Sequence, residues 1–195
     1  MILRGCLVGA LGVLVGIAAV ADAADVGARH LATDKVEQRV RQVVAHASGV
    51  HGRVLSFPFL GAAVDGRVDE IAATVDQLVP YSDVTVELHG ARVSIGTMVT
   101  ALRVDVTRIE SGTVTFDLTD AALEQAAPGA AVPQSRVAVD GLHRVLVVMP
   151  PSGRPAVVPL PPLSLVPCVP GVAPDADGYT FGCSFHTVPA AFRSP

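Results

Sequence analysis

The sequence predicts an α+β fold: an antiparallel β-sheet accompanied by one long amphipathic helix near the N-terminus and one short helix later. Three observations carry this. Half of the 195 residues are apolar, but Trp is absent and the apolar content is mostly Val, Ala and Leu, which favours the pleated surface that β-branched side chains fit. Helical spacing of apolar residues is clear in an early segment, "TDKVEQRVRQVVAHASG", where Val36, Val40, Val43, Val44 and Ala47 recur. Beyond that helix the chain is nearly all period-two alternation, the mark of strands with one buried face.

The chain begins "MILRGCLVGALGVLVGIAAVADAAD", with Arg4, an apolar run from Gly5 to Ala21, and the small-x-small end Ala21-Asp22-Ala23. A basic start, an apolar middle and such an end describe a secretory signal peptide over residues 1–23, cut after Ala23. The run is close to the lower length limit of a membrane span, so an uncleaved N-terminal anchor is the alternative. Either way the folded part is expected outside the cytoplasm, in the cell envelope or periplasmic space. Residues 24–32 read as a linker and 33–190 as a single domain, long enough for a sizeable core. The first helix then has Thr33 or Asp34 as its cap, Glu37 at the capping-box position and Gly49 as its stop.

Val50 to Phe57 reads as a first strand and Gly66 to Val79 as a second. In the second, Val68 is out of phase with Ile71, Ala73 and Val75, so a bulge at Asp69-Glu70 is expected to keep one face. Val84, Val86 and Leu88 alternate with polar residues, and after Gly90-Ala91 the pattern resumes at Val93 and Ile95. Leu102, Val104 and Val106 come next, then Val114, Phe116 and Leu118. A short helix fits Asp120 to Ala127, capped by Thr119 and stopped at Pro128-Gly129. Val137 to Met149 returns as strand, broken at Asp140-Gly141 in the manner of a hairpin. "RPAVVPLPPLSLVPCVP", Arg154 to Pro170, is apolar and proline-rich, hence extended with only intermittent pairing, a covering strap. Tyr179, Phe181, Cys183 and Phe185 share one face of a last strand.

Several function classes are excluded or disfavoured. A formal charge of −4 offers no basic patch for a nucleic acid. No phosphate-cradling glycine loop and no nucleophile elbow occurs. His30, His46, His51, His89, His143 and His186 are scattered without metal-ligand spacing, and the carboxylates Asp65, Asp69, Glu70 and Asp76 read as solvated strand and turn residues. No catalytic constellation, metal site or cofactor is therefore expected, which leaves binding or scaffolding. Once the leader and Cys6 are removed, Cys168 and Cys183 form an even pair in an oxidising compartment and are expected to be bridged, two free thiols being the alternative. The cluster "FPFL", Phe57 to Leu60, sits at a strand end because its proline cannot donate to a ladder; it reads either as a plug for the core or as the lip of an apolar cavity.

In order and spacing, "GRVLSFPFL", "DGRVDEI", "GTVTFDLTDAALEQ" and "VPLPPLSL" resemble the LmeA-like phospholipid-binding family of actinobacterial cell envelopes, over roughly Val36 to Val188. The resemblance implies a strongly curved antiparallel sheet wrapped around the long helix, with an apolar tunnel for acyl chains and no enzymatic activity. It places Phe57, Pro58, Phe59 and Leu60 at the tunnel mouth and Leu160, Pro162, Leu163 and Leu165 in its cover. Arg53 and Arg67, flanking the "FPFL" loop, become candidates for the head group. Phospholipid, a membrane surface and an envelope-biosynthesis enzyme of lipoglycan assembly are the implied partners. The alternative is a structural or partner-docking envelope module whose core is filled.

Overall fold

The computed structural model describes residues 24–44, 47–56, 61–62, 65–94, 106–129, 135–151 and 154–193. Expectations for the signal segment, for "FPFL", and for Ile95, Leu102 and Val104 fall outside these residues. Helix α1 spans residues 24–43 and buries Ala32, Val36 and Val40, with Val44 just past its end continuing the stripe, each four residues after the last. It starts ten residues earlier than a cap at Thr33, and eleven earlier than a cap at Asp34, would require. Residues 24–32, read as a linker, are instead its first turns, held by an ion pair between Arg29 and Asp25 four residues apart (3.1 Å).

The capping-box role expected of Glu37 is replaced by a tertiary one. Strand β1 (Ser48–Leu55) is the edge of the main sheet, and an edge strand leaves a row of backbone groups without partners. Side chains of α1 take up that row: Arg41 donates to the Val50 carbonyl (3.1 Å), Glu37 accepts from the Gly52 amide (2.9 Å), and Arg29 donates to the carbonyl of Ser56 (3.1 Å). The spacing works because four helical residues rise about 6 Å and two strand residues about 6.6 Å, so rungs stay in step along antiparallel axes. Close approach is permitted at Gly52, where a Cβ would stand 2.9 Å from the Thr33 carbonyl oxygen.

β1 pairs with β2 (Arg67–Leu78), β2 with β3 (Tyr81–Val93), and β3 with both β4 (Val106–Arg108) and β5 (Ser111–Thr119). β10 (Gly178–Phe185) adds to β5, and β9 (Gly171–Asp175) closes the order. All these pairings are antiparallel, and the sheet does not close. Its inner face carries Val50 and Val54, then Ile71, Ala73 and Val75, Val84, Val86 and Leu88, Val114, Phe116 and Leu118, and Phe181 and Phe185, all buried.

Buried residues do change parity in β2, but not by the bulge expected at Asp69-Glu70. Pairing of β2 with β3 holds one register through Val68↔Ala91 and Ile71↔Leu88. Both strands swap faces together at the row Asp69/Gly90, where Gly90 has a left-handed φ of 59°, and again at Asp76/Asp83, where Asp83 has φ 51°. Gly49, expected to stop the helix, lies in β1 beside the second of these rows, with φ 63° and the Asp76 side chain where its Cβ would be.

α2 (Asp120–Ala126) is capped as expected, the Thr119 hydroxyl oxygen accepting from the Ala122 amide (3.1 Å). A second sheet, β6 (Arg136–Asp140), β7 (Val145–Met149) and β8 (Ala156–Pro159), is the anticipated hairpin plus the one paired stretch of the strap. Its Leu146, Val148 and Val158 join the same buried cluster as the main sheet.

Candidate functional site

An apolar sheet face needs a cover, and here the cover has three parts side by side. α1 lies along β1. A 3-10 turn, Ala190–Phe192, buries Ala191 and Phe192 and meets α1 where Arg39 donates twice to the Arg193 carbonyl (2.9 and 3.1 Å). The strap comes next: the Ala191 amide donates to the Ser164 carbonyl (2.9 Å).

The strap is fixed at points that prolines alone would not supply. Arg144, in the β6–β7 turn with φ 55°, donates to the carbonyls of Pro161 (2.7 Å), Val166 (3.0 Å) and Cys168 (3.0 Å). Proline-rich backbone lacks ladder partners for its carbonyls, and a planar five-donor guanidinium can serve several at once. Partial burial lowers the Arg144 pKa from its ordinary value, with the neighbouring Tyr81 opposing that shift. Tyr81 itself donates to the Pro159 carbonyl (2.9 Å), and burial pushes its phenol well above the usual range. The Cys168–Cys183 disulfide, Cα atoms 6.1 Å apart, bolts the strap to β10 on the inner face. Beneath it Phe116 and Phe181 stack at 4.9 Å, and Tyr81 meets both edge-on at 5.1 and 6.2 Å.

Of the residues singled out from the sequence, Phe57, Pro58, Phe59 and Leu60 lie outside the described residues. Ser56, just before them, is buried, its hydroxyl accepting from the Asp69 amide (2.7 Å) where the β1–β2 ladder ends. The Ser56 carbonyl is bonded by Arg29 of the N-terminal turns of α1, where Val26 and Leu31 are 51% and 59% exposed. In the strap Leu160 and Leu165 are buried, whereas Pro162 and Leu163 form the exposed tip of a turn closed by Pro162 carbonyl bonds to the Leu165 and Val166 amides. Arg53 is exposed and alternates with Val54, on the face away from the core. Arg67 is exposed and paired to Glu110 (2.7 Å). Arg144 and Tyr81 were not read from the sequence: a guanidinium bonded to backbone carbonyls has no partner residue type to search for.

Among the described residues, nothing in the inner layer is arranged for acid–base or metal chemistry. His51 faces Asp76 (3.3 Å), His143 faces Asp140 (2.6 Å), and His89 lies 3.9 Å from both Glu70 and Glu87, all exposed or on the outer face. The Asp140 carboxyl titrates below its ordinary value because His143 hydrogen-bonds it. Among the described residues no group of three or more metal-ligating side chains gathers, and no helix is long and apolar enough to cross a membrane. The arrangement offers apolar surface under a pinned cover.

Comparison with curated proteins and with solved structures found no match. The family model described as LmeA-like phospholipid-binding matches residues 23–167, the bulk of the chain, from the first turns of α1 to the strap. On that match the chain belongs to the LmeA-like phospholipid-binding family.

Proposed function

We propose that this chain is a non-enzymatic phospholipid carrier of the cell envelope, which holds acyl chains in an apolar tunnel between the inner face of its sheet and the cover above it. The observation that supports this best is the inner face. From Val50 on β1 to Phe185 on β10 the buried residues of its strands are apolar, and its cover is one helix, a short turn and a strap, with the small sheet packed on the same core. Each methylene transferred from water to such a surface gains about 0.8 kcal/mol, so an acyl chain needs few polar contacts to stay.

In this reading Phe57, Pro58, Phe59 and Leu60 form the mouth, and Leu160, Pro162, Leu163 and Leu165 roof the tunnel. Arg53, which is exposed, can take a phosphate directly, whereas Arg67 would have to exchange Glu110 for it. Export, with or without retention of the N-terminal apolar run as an anchor, puts the carrier where lipoglycan and envelope lipids are assembled. An enzyme of that assembly would receive lipid at the mouth.

A second reading is favoured by the Tyr81, Phe116 and Phe181 stack, which occupies interior space with the protein's own rings: a structural or docking module with a filled core. Lipid extraction of the purified protein followed by mass spectrometry separates the two. Co-purified or exchangeable phospholipid, lost in the Phe59→Asp/Leu60→Asp variant with the fold retained, supports the carrier. An interior that yields and accepts no lipid leaves the module.

A further inference from the structure

The small sheet β6-β7-β8 has two faces, and only one is accounted for. Its inward row is Val137, Val139, Leu146, Val148, Ala156 and Val158, packed on the core. In a half-buried antiparallel sheet the alternate row should be polar. Here the register sets Met149 beside Arg136, Val147 between Ala138 and Val157, and Val145 between Asp140 and Pro159. Six of these eight outward residues are apolar, with Met149 at 41% and Val157 at 57% exposure. At one end the β6–β7 turn projects Leu142, 93% exposed. At the other stand Arg136, on the outward row, and Arg154, two residues before β8; both are exposed, and among the described residues their side chains make no hydrogen bond or ion pair.

We propose that this outward face is a membrane-docking surface, which lies on a lipid bilayer with its aliphatic residues in the interface and Arg136 and Arg154 on anionic head groups. Area and composition select a bilayer over a protein partner. Three strands about 4.8 Å apart and five residues long present roughly 200 Å², about a quarter of what each side of a stable protein–protein interface buries. The face also has no Tyr, Trp or Phe, the residues that anchor protein interfaces. Aliphatic side chains flanked by cations suit an acyl boundary beneath anionic head groups instead, where apolar burial and charge attraction add. The two unpaired arginines supply that charge although the chain as a whole carries −4. The inference adds to the carrier reading the surface by which a carrier would meet a membrane, and its test is separate from the lipid content of the interior.

The test is flotation of the purified protein with vesicles of phosphatidylcholine, with and without phosphatidylglycerol. The protein is expected to float with the anionic vesicles, more weakly as salt rises. Arg136→Ala/Arg154→Ala should weaken that binding roughly thirtyfold and flatten its salt dependence. Val157→Glu should abolish it. Because Val157 lies in a strand, a second readout avoids that substitution. The chain has no Trp, so Leu142→Trp, at a fully projecting turn, is a single reporter whose emission should shift to the blue on vesicle binding and be quenched by brominated acyl chains. Flotation undiminished in the double arginine variant and in Val157→Glu, or an unshifted Leu142→Trp emission on floating protein, would overturn the proposal. A docking result that stands while the interior yields no lipid sinks the carrier reading alone.

Discussion

The Tyr81 hydroxyl donates to the Pro159 carbonyl at 2.9 Å, joining the first residue of β3 to the start of the strap across the aromatic stack. A phenol held in this way is buried and neutral. The contact makes Tyr81 a fastener for the cover as well as a core ring.

Tyr81→Phe should keep the edge-on ring contacts with Phe116 and Phe181 and lose the bond, lowering stability by about 1 kcal/mol in urea denaturation at neutral pH. The pH dependence has a definite sign. Burial raises the Tyr81 pKa in the folded protein above the ordinary 10.0, so its stabilising contribution is fully present below pH 10 and declines as the pH rises past it. The wild-type protein should therefore lose stability above pH 10 more steeply than Tyr81→Phe. Equal slopes for the two proteins would remove the buried phenol as the cause.

Arg144 serves three strap carbonyls at 2.7 to 3.0 Å. Arg144→Met keeps the aliphatic stem and leaves those carbonyls without their donor, at an expected cost of about 3 kcal/mol, since bonds to charged donors are the stronger kind but do not add fully. Limited proteolysis should then cut first between Pro159 and Pro170. An unchanged cleavage pattern would show that the strap is held without this side chain.

How far the sequence foretold this arrangement depends on which interactions leave a periodic trace. Val84, Val86 and Leu88, or Val114, Phe116 and Leu118, announce an inner face because alternation is itself the consequence of having two faces. The prolines of the strap announce unpaired backbone. Cys168 and Cys183 were legible as a pair once Cys6 was assigned to the leader. Other features leave weaker traces or none. The early start of α1 rests on the Asp25–Arg29 pair, the bond from Arg29 to the Ser56 carbonyl and the burial of Ala32, in a stretch whose Gly27 and mixed polarity resemble a linker. β9 escaped notice because Gly171 and Pro174 read as turn residues, yet an edge strand tolerates a proline. The joint face swap of β2 and β3 depends on backbone angles at Gly90 and Asp83. Within the strap, the resemblance named Leu160, Pro162, Leu163 and Leu165 together without separating the buried Leu160 and Leu165 from the exposed Pro162 and Leu163, and the clamp formed by Arg144 acts on carbonyls that every residue possesses.

The Cys168–Cys183 bridge closes a loop that includes β9 and ties it to β10. Alkylation without reductant should leave the mass unchanged, while reduction should add two labels and lower stability by about 3 kcal/mol, the chain-entropy cost of freeing a loop of this size. Two labels acquired without reductant would mean that the thiols are free. The Cys168→Ser/Cys183→Ser variant should match the reduced protein and should release the strap to protease even with Arg144 in place.

Along α1, the rung at Gly52 combines two demands, a donated amide and an absent side chain. Glu37→Ala removes the acceptor for that amide and the partner of Arg41, which can still reach the Val50 carbonyl. A partly exposed rung of this kind should cost about 1 kcal/mol. Gly52→Ala leaves the hydrogen-bonding groups intact but sets a methyl 2.9 Å from the Thr33 carbonyl oxygen and 3.0 Å from the Glu37 Cγ. Because the nearer atom belongs to helix backbone, relief requires α1 to lift from β1, so the smaller chemical change should cost more, about 2 kcal/mol. Lifting α1 would also loosen Arg29 from the Ser56 carbonyl, next to the "FPFL" segment. Gly52→Ala should therefore show faster amide exchange at residues 50–56 than Glu37→Ala does. If the alanine variant proves the more stable of the two, the helix does not bear on the strand at this glycine in solution.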